Sequence, residues 1–428
     1  MVDNLINIGL LGCGTVGSGV VKIIKRNREE IERKAGSRLN IKKVLVRSLD
    51  KERPLELEGA ELVTEVDKIL EDPEIKIVIE LIGDVERARE YMEKALRKGK
   101  FVVTANKDLM AQHGREIFKL ARDMGVNVYY EASVGGGIPL IRPLKHSLAA
   151  NRIMRIMGII NGTTNYILTQ MTLQGRGYQE ALEEAQEKGF AEQDPSSDVL
   201  GKDAAYKLAI LASIAFDSTI NMDSIYTEGI TEVKIRDIRY AEELGYKLKL
   251  LAIGERMEEG LALRVHPTLV PDKHPLAAVN DEFNAVFFEG DAVGEIMLYG
   301  RGAGEMPTGS AVVADVIEAV RSINHQVENG VMEVEFSQKP IMPLSRIHSK
   351  FYIRLKAIDE PGVFASLANI FSEEKVSLDM IIQKRRIEEM AEIVLVTHDI
   401  REENFFRSIE RIKEIPSIRE ISQLLRVV

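Results

Sequence analysis

Short apolar runs and amphipathic stretches follow one another along the first third of the chain. Leu5-Ile6-Asn7-Ile8-Gly9-Leu10-Leu11 and residues 41–46, 75–83 and 101–104 read as buried strands, while residues 85–98 and 114–124 carry helical spacing before a further strand at 126–131. That rhythm predicts an α/β fold with a parallel, doubly wound sheet, whose ligands collect at the carboxyl ends of the strands. Residues 152–160 read as another strand and 178–188 as a helix stopped by Gly189, ahead of a helix around 203–212 that is apolar on nearly all faces. Strand-like pieces at 261–267, 285–289 and 295–299 predict a second, open sheet that could also form a dimer interface, and a long helix opens at Gly300-Arg301-Gly302-Ala303-Gly304 and runs to about 323. After Lys339-Pro340-Ile341-Met342-Pro343 the pattern becomes βαββαβ: strands at 350–357, 377–383, 391–397 and 422–428, with helices after Pro361 and over 402–413.

Length and charge narrow the class. A chain of 428 residues needs more than one core, about two or three domains. A formal net charge of −10 argues against nucleic acid as a partner. One cysteine, Cys13, excludes an internal disulfide framework, and the scattered histidines offer no zinc spacing. The N-terminus has no basic leader and no apolar run reaches membrane-spanning length, so a cytoplasmic location is expected, without membrane contact.

The first candidate chemistry is Gly12-Cys13-Gly14-Thr15-Val16-Gly17, a GxGxxG turn between strand and helix. Gly12 permits the tight turn, Gly14 the approach of a pyrophosphate and Gly17 the packing of helix on strand, as in a Rossmann-type domain. Arg47-Ser48 ends the next strand where an NAD-preferring fold carries an acid. An arginine there suits a 2′-phosphate and favours NADP(H), with NAD(H) possible; the alternative is a solvated loop arginine. Thr104-Ala105-Asn106-Lys107 lies on the ligand edge, where Lys107 either faces cofactor and substrate or is a solvated loop lysine. Glu131-Ala132-Ser133-Val134-Gly135-Gly136-Gly137-Ile138-Pro139 either turns oxygens towards a monovalent cation or is a flexible turn between domains.

The second centre is Asn161-Gly162-Thr163-Thr164-Asn165. One helix cap needs fewer polar groups than these, and the set suits recognition of a small polar molecule. Glu192, Asp194 and Asp198 follow in an acidic loop. Asp203 and Lys207 then lie four apart on the apolar helix, a desolvated pair that an ordinary surface ion pair does not explain. A lysine so placed can bind a substrate oxygen and give it a proton, while Glu192, Asp198 and Asp203 can hold a substrate ammonium.

Over nearly its whole length the chain resembles the long form of homoserine dehydrogenase, through the glycine turn, Thr104–Lys107, Glu131–Gly137, Asn161–Asn165, Glu192–Asp198 and Gly201-Lys202-Asp203-Ala204-Ala205-Tyr206-Lys207. The resemblance implies NAD(P)(H)-dependent interconversion of L-aspartate 4-semialdehyde and L-homoserine, on the route to threonine, methionine and isoleucine. It assigns Lys207 the proton transfer, Lys107 a place near the reacting carbon and cofactor, and Asp203, Asp198 and Glu192 to the substrate. It maps a sodium-type cation (Na+ or K+) onto Glu131 and the backbone of Val134, Gly136 and Ile138. It sets Asn161, Gly162, Thr163, Gly189 and Gly304 along cofactor and substrate, in a seam between two domains. The chain departs from the pattern at Asp84, where a second glycine commonly follows Gly83.

Residues 346–428 are similar to an ACT domain, with the turn Asp359-Glu360-Pro361-Gly362 as the effector-facing element. This implies an amino-acid effector, threonine being the family's usual one, and a homodimer or homotetramer; a dimerisation module without ligand is the alternative. The expected division is a nucleotide-binding domain over 1–150 completed by the helix 305–325, a catalytic α/β substrate and dimerisation domain over 151–304, a linker over 326–345 and the C-terminal module. Another amino-acid dehydrogenase on this fold, or a non-catalytic sensor, would share much of the sequence. A sensor has no need of Lys107, Asp203 and Lys207.

Overall fold

The computed structural model describes residues 4–49, 57, 59–325, 338–387 and 390–428. The strands β1 (Leu5–Leu11), β2 (Arg38–Leu45), β3 (Glu61–Val63), β4 (Ile75–Glu80), β5 (Phe101–Thr104) and β6 (Val128–Tyr129) form one sheet in the order β3-β2-β1-β4-β5-β6. Every pairing in it is parallel. The helices α1 (Thr15–Arg26), α2 (Arg28–Ala35), α3 (Asp67–Leu70), α4 (Val85–Arg97) and α5 (Lys107–Asp123) supply the crossovers. The order reverses between β1 and β4, the point at which such sheets bind ligands. Ile8, Leu10, Val44, Ile77 and Ile79 are fully buried, which explains why these strands read as continuous apolar runs.

Three local expectations shift. β2 starts at Arg38 and ends before Val46. α5 starts at Lys107 instead of near 114, because the Asn106 side chain accepts the Leu109 N–H and caps it. The strand expected at 126–131 shrinks to two residues, since Glu131–Ser133 winds into a 3-10 turn.

The chain continues through β7 (Ile153–Ile159), α6 (Gly162–Gln174), α7 (Tyr178–Glu187), α8 (Ser196–Val199), α9 (Lys202–Phe216), β8 (Tyr226–Thr227), α10 (Ile235–Glu243), β9 (Tyr246–Arg256), β10 (Leu261–Pro271), β11 (Phe283–Gly290), β12 (Gly294–Arg301) and α11 (Glu305–His325). The C-terminal module is β13 (His348–Ile358), α12 (Val363–Glu373), β14 (Leu378–Ile387), β15 (Met390–Thr397), β16 (Ile400–Arg401), α13 (Glu402–Lys413) and β17 (Ile418–Val427), the expected βαββαβ with one added two-residue strand.

Contacts divide these elements into two units. One combines Met1–Met154 with Tyr206–Met222 and Phe283–Gln338, so α11 and the antiparallel β11–β12 hairpin belong with the parallel sheet. A Cβ on Gly309 would stand 2.9 Å from the carbonyl carbon of Gly19, so the backbones of α1 and α11 meet through their glycines. The other unit combines Arg155–Ala205, Asp223–Glu282 and Lys339–Val428. Its mixed sheet runs β7-β9-β10-β17-β13-β15-β14. β9 is absent from the expectations above; it is buried on both faces, and its lysines interrupt the apolar run. Of the expected linker, residues 326–337 lie outside the described residues. Residues 340–342 lie along β10, with Leu261 N–H to Pro340 O at 2.9 Å and Met342 N–H to Leu261 O at 2.8 Å. No described helix is long and apolar enough to cross a membrane.

Candidate active site

The glycine turn sits between the ends of β1 and α1. Gly12 has φ +99°, and a Cβ there would stand 2.7 Å from Leu81 O. A Cβ on Gly17 would strike Gly12 O, so both positions require glycine. A Cβ on Gly14 would meet nothing within 4 Å, which leaves room for a ligand on that side. α1 has no side-chain cap and no acid in its first turn, so its N-terminal N–H groups and dipole can take an anion above Gly14, Thr15 and Val16. Arg47 is exposed just beyond β2.

Beside the turn, β4 ends in Glu80, which is fully buried. Its carboxylate accepts the Thr104 hydroxyl at 2.7 Å and the Ile82 N–H at 2.7 Å. Burial pushes this carboxyl up, while those donors and the Gly83 N–H oppose the shift. Thr104 in turn accepts the Asn106 N–H at 3.0 Å. Glu80 thus fixes the ends of β4 and β5 and, through the Asn106 cap, the start of α5, where Lys107 is half-buried and 3.9 Å from Asp108. Asp84 accepts the Arg87 N–H at 2.9 Å and caps α4, a physical reason for its departure from glycine.

Glu131 is buried, and its carboxylate accepts the backbone N–H groups of Leu140 at 2.5 Å, Ile141 at 2.8 Å and Arg142 at 2.8 Å. Its own N–H donates to Asp315 at 2.8 Å, and Asp315 pairs with Arg142 at 2.5 Å. Between Glu131 and Leu140 the chain turns through Gly135 at φ +73° and Gly136 at φ +53°. Val134, Gly136 and Ile138 are buried, yet none of their carbonyl oxygens accepts a hydrogen bond among the described residues. Buried carbonyls left so beside a carboxylate fit a hard monovalent cation, which takes oxygens only. No group of three His, Cys, Asp or Glu side chains suited to a metal occurs among the described residues.

In the other unit, Asn161 joins the elements of the polar cluster. It caps α6 by accepting the Thr164 N–H at 2.8 Å. Its amide nitrogen donates to Asp198 at 2.6 Å and to Asp203 at 2.8 Å. Thr163 donates its hydroxyl to Phe190 O at 2.7 Å and fastens Gly162 and the start of α6 to the turn after Gly189, which has φ +75°. Asp203 is 5% exposed on α9, so the expected burial holds for it, and Lys207, one turn later, is half-buried. Glu192 is exposed, and its carbonyl accepts from the Gln186 side chain at 3.0 Å. Lys249 on β9, 3% exposed, donates to Val279 O, Asn280 and Asn165 beneath α6. Desolvation pulls its ammonium down to about 8.

Gly304, at φ +125°, immediately precedes α11. In the C-terminal module Gly362, at φ +96°, precedes α12 with no side-chain cap, following Pro361, and Asp359 accepts from Gln383 at 3.3 Å.

Sequence reasoning missed Glu80, Asp315, Arg142 and Lys249. Glu80 and Asp315 carried the signal used for Asp203, a lone acid among apolar neighbours. Arg142 and Lys249 carried none, because their partners are remote in sequence.

Three family models match: "Homoserine dehydrogenase, NAD binding domain" over residues 12–131, "Homoserine dehydrogenase" over 139–317 and "ACT domain" over 351–417. A homoserine dehydrogenase of Bacillus subtilis is 43% identical over 424 residues, covering 99% of this chain and 98% of the relative. The crystal structure of a homoserine dehydrogenase from Thiobacillus denitrificans superposes with a TM-score of 0.94 at 43% identity, covering 99% of this chain and 98% of that one. A hyperthermophilic archaeal homoserine dehydrogenase in complex with NADPH matches 74% of this chain and 97% of its own, at 28% identity and a TM-score of 0.62.

Proposed function

The chain belongs to the homoserine dehydrogenase family, an NAD(P)-dependent oxidoreductase that interconverts L-aspartate 4-semialdehyde and L-homoserine, and from this premise we propose how its residues divide the reaction. The bound nicotinamide supplies or receives the hydride. Lys207 gives the carbonyl oxygen its proton in reduction and takes the hydroxyl proton in oxidation. Lys107 lies by the reacting carbon and cofactor, and Asp203 and Asp198, with Glu192, hold the substrate ammonium while Thr163 lines its site. The observation that carries this reading is the pair of carboxylates gathered on Asn161, one of them on the helix of Lys207. Two carboxylates brought to one amide, Asp203 buried and Asp198 half-buried, suit a cationic ligand.

The family likeness assigns the cofactor to Gly12, Gly14, Thr15, Val16, Gly17, Thr104 and Gly304 of one unit, and it assigns Gly162, Gly189 and Glu192 of the other to the cofactor as well. Arg47 favours NADP(H) over NAD(H), and the NADPH complex of the archaeal relative is in keeping with a nicotinamide cofactor here. A sodium or potassium ion is held by Glu131 and the carbonyls of Val134, Gly136 and Ile138, where it stiffens the turn. An amino acid, threonine by family likeness, binds near Asp359, Pro361 and Gly362 and regulates turnover. The chain pairs as a homodimer or homotetramer; β12, with Met297 and Tyr299 exposed, is a suitable edge. The compartment is the cytoplasm.

A steady-state assay of homoserine oxidation with NADP and then NAD, in sodium, potassium or a bulky organic cation, with and without threonine, tests these assignments together. Faster turnover with NADP, loss in the organic cation and inhibition by threonine are expected. Equal rates in all conditions would remove the cofactor, cation and effector assignments.

A further inference from the structure

Asn161 does two jobs, and only one of them is ordinary. Its side-chain oxygen accepts the Thr164 N–H at 2.8 Å and the Thr164 hydroxyl at 2.8 Å. That is helix capping, which Ser, Thr or Asp would do as well. Its amide nitrogen carries two hydrogens, and both go to carboxylates from different elements, Asp198 on α8 at 2.6 Å and Asp203 on α9 at 2.8 Å. The orientation is fixed by the partners: a flipped amide would set its oxygen against two carboxylates and its NH2 against the Thr164 N–H.

Two carboxylates brought to one amide repel each other and lose hydration, and Asp203 and Asn161 are each 5% exposed. A lysine in place of Asn161 would hold the pair but cancel its charge. A neutral double donor holds both anions without adding a charge of its own. The anchor is itself firm: Asn161 stands two residues after the end of β7, Thr163 ties α6 to Phe190, and α8 is held by Ile230 N–H to Val199 O at 2.8 Å.

We propose that Asn161 is a positioning residue which sets the spacing of the Asp198–Asp203 pair, and through it the affinity for the substrate ammonium. The proposal rests on the reading that these carboxylates take the ammonium. It separates from capping because Asn161→Ser and Asn161→Asp keep an acceptor for the Thr164 N–H and lose the NH2. Charge-assisted hydrogen bonds of this kind correspond to about a tenfold change or more.

The experiment measures the KM for homoserine, kcat, cofactor Kd and thermal midpoint for the full-length Asn161→Ser, Asn161→Asp and Asp203→Asn proteins. Expected for both Asn161 variants is a KM raised about tenfold or more, a smaller loss in kcat and an unchanged cofactor Kd. Asn161→Ser should stay closest to the wild-type thermal midpoint, since serine caps as asparagine does, whereas Asn161→Asp sets a third carboxylate against the pair and should lower it. A wild-type KM in the folded Asn161→Asp and Asn161→Ser proteins, with a raised KM in Asp203→Asn, overturns the proposal and leaves the carboxylate reading in place. A wild-type KM in Asp203→Asn removes the carboxylate reading and the proposal with it.

Discussion

Asp237 on α10 offers a stringent test of the packing between that helix and the C-terminal module. It is fully buried and accepts Arg354 Nε at 2.6 Å, Arg354 Nη2 at 2.9 Å and the Tyr352 hydroxyl at 2.9 Å. Burial and the adjacent carboxylate push the Tyr352 hydroxyl up, so it stays a donor. Arg354, 5% exposed on β13, also reaches Glu392 on β15 at 3.1 Å. Glu392 has further partners, Arg236 at 3.1 Å and the Tyr240 hydroxyl. Asp237→Ala therefore orphans Tyr352 and leaves Arg354 with one carboxylate, whereas Arg354→Met leaves Glu392 satisfied and strands Asp237. Removing one partner of a buried pair costs about 3–5 kcal/mol, a large part of a typical folding stability of about 5–15 kcal/mol. Removing both strands no charge, so the double variant should cost less than the two single losses combined, by about 2 kcal/mol. The chain has no tryptophan and more than one unit, so the readout is hydrogen exchange of β13 and β15 amides. A loss below about 1 kcal/mol for Asp237→Ala, or strict additivity, would refute the reasoning.

Lys207→Ala should lower kcat by about 10²- to 10⁴-fold, the usual worth of a positioned proton donor, and leave cofactor binding intact in a fluorescence titration. Gly14→Ala has open space around its new methyl group and should keep its thermal midpoint while weakening the cofactor. Gly17→Ala drives a methyl group into Gly12 O and should cost about 1–3 kcal/mol in denaturant unfolding. Lys249 holds its proton only up to about pH 8 in the folded state, against 10.5 for an ordinary lysine, so between these values the unfolded chain binds more protons and stability rises with pH. Below pH 8 the folded state bears the full cost of the buried charge. Lys249→Met should flatten this rise, by about 3 kcal/mol over the interval, in unfolding curves taken from pH 7 to 10.5.

The parallel sheet was legible because its strands are buried on both faces and its turns are marked by glycines that no other residue can replace, Gly12 and Gly17 among them. α5 was misjudged at its start because capping by Asn106 is a three-residue event inside a stretch that also reads as a ligand loop. β9 was lost for a different reason. Lysines in a strand signal solvent, and Lys249 is instead buried against carbonyl oxygens contributed by residues about thirty positions away. The acids of the site were visible as charges in apolar company, but what holds them was not: Asn161 lies 37 and 42 residues from the carboxylates it joins. Local pattern names the groups that do chemistry more readily than the groups that aim them.

The C-terminal module is built into its unit by more than a tether. β17 pairs antiparallel with β13 of the module and parallel with β10, Thr268 opposite Arg426, and Val428 N–H reaches Leu269 O at 3.0 Å. That pairing covers an edge that would otherwise stay open. It also places Arg426, which grips Glu402 of the module through two bonds of 2.8 and 2.9 Å and lies 3.7 Å from Glu228. Glu228 is held to β10 by its N–H to Val265 O at 2.8 Å, and two residues later Ile230 binds Val199 O, next to Asp198. Contacts in series do not by themselves transmit anything; they need an element that cannot absorb the movement. Gly229 is closely packed there, since even a methyl group would run into Val199 O and Leu200 Cα. The turn through Gly229 thus joins Glu228 to the end of α8, and α8 carries one of the two carboxylates that Asn161 holds.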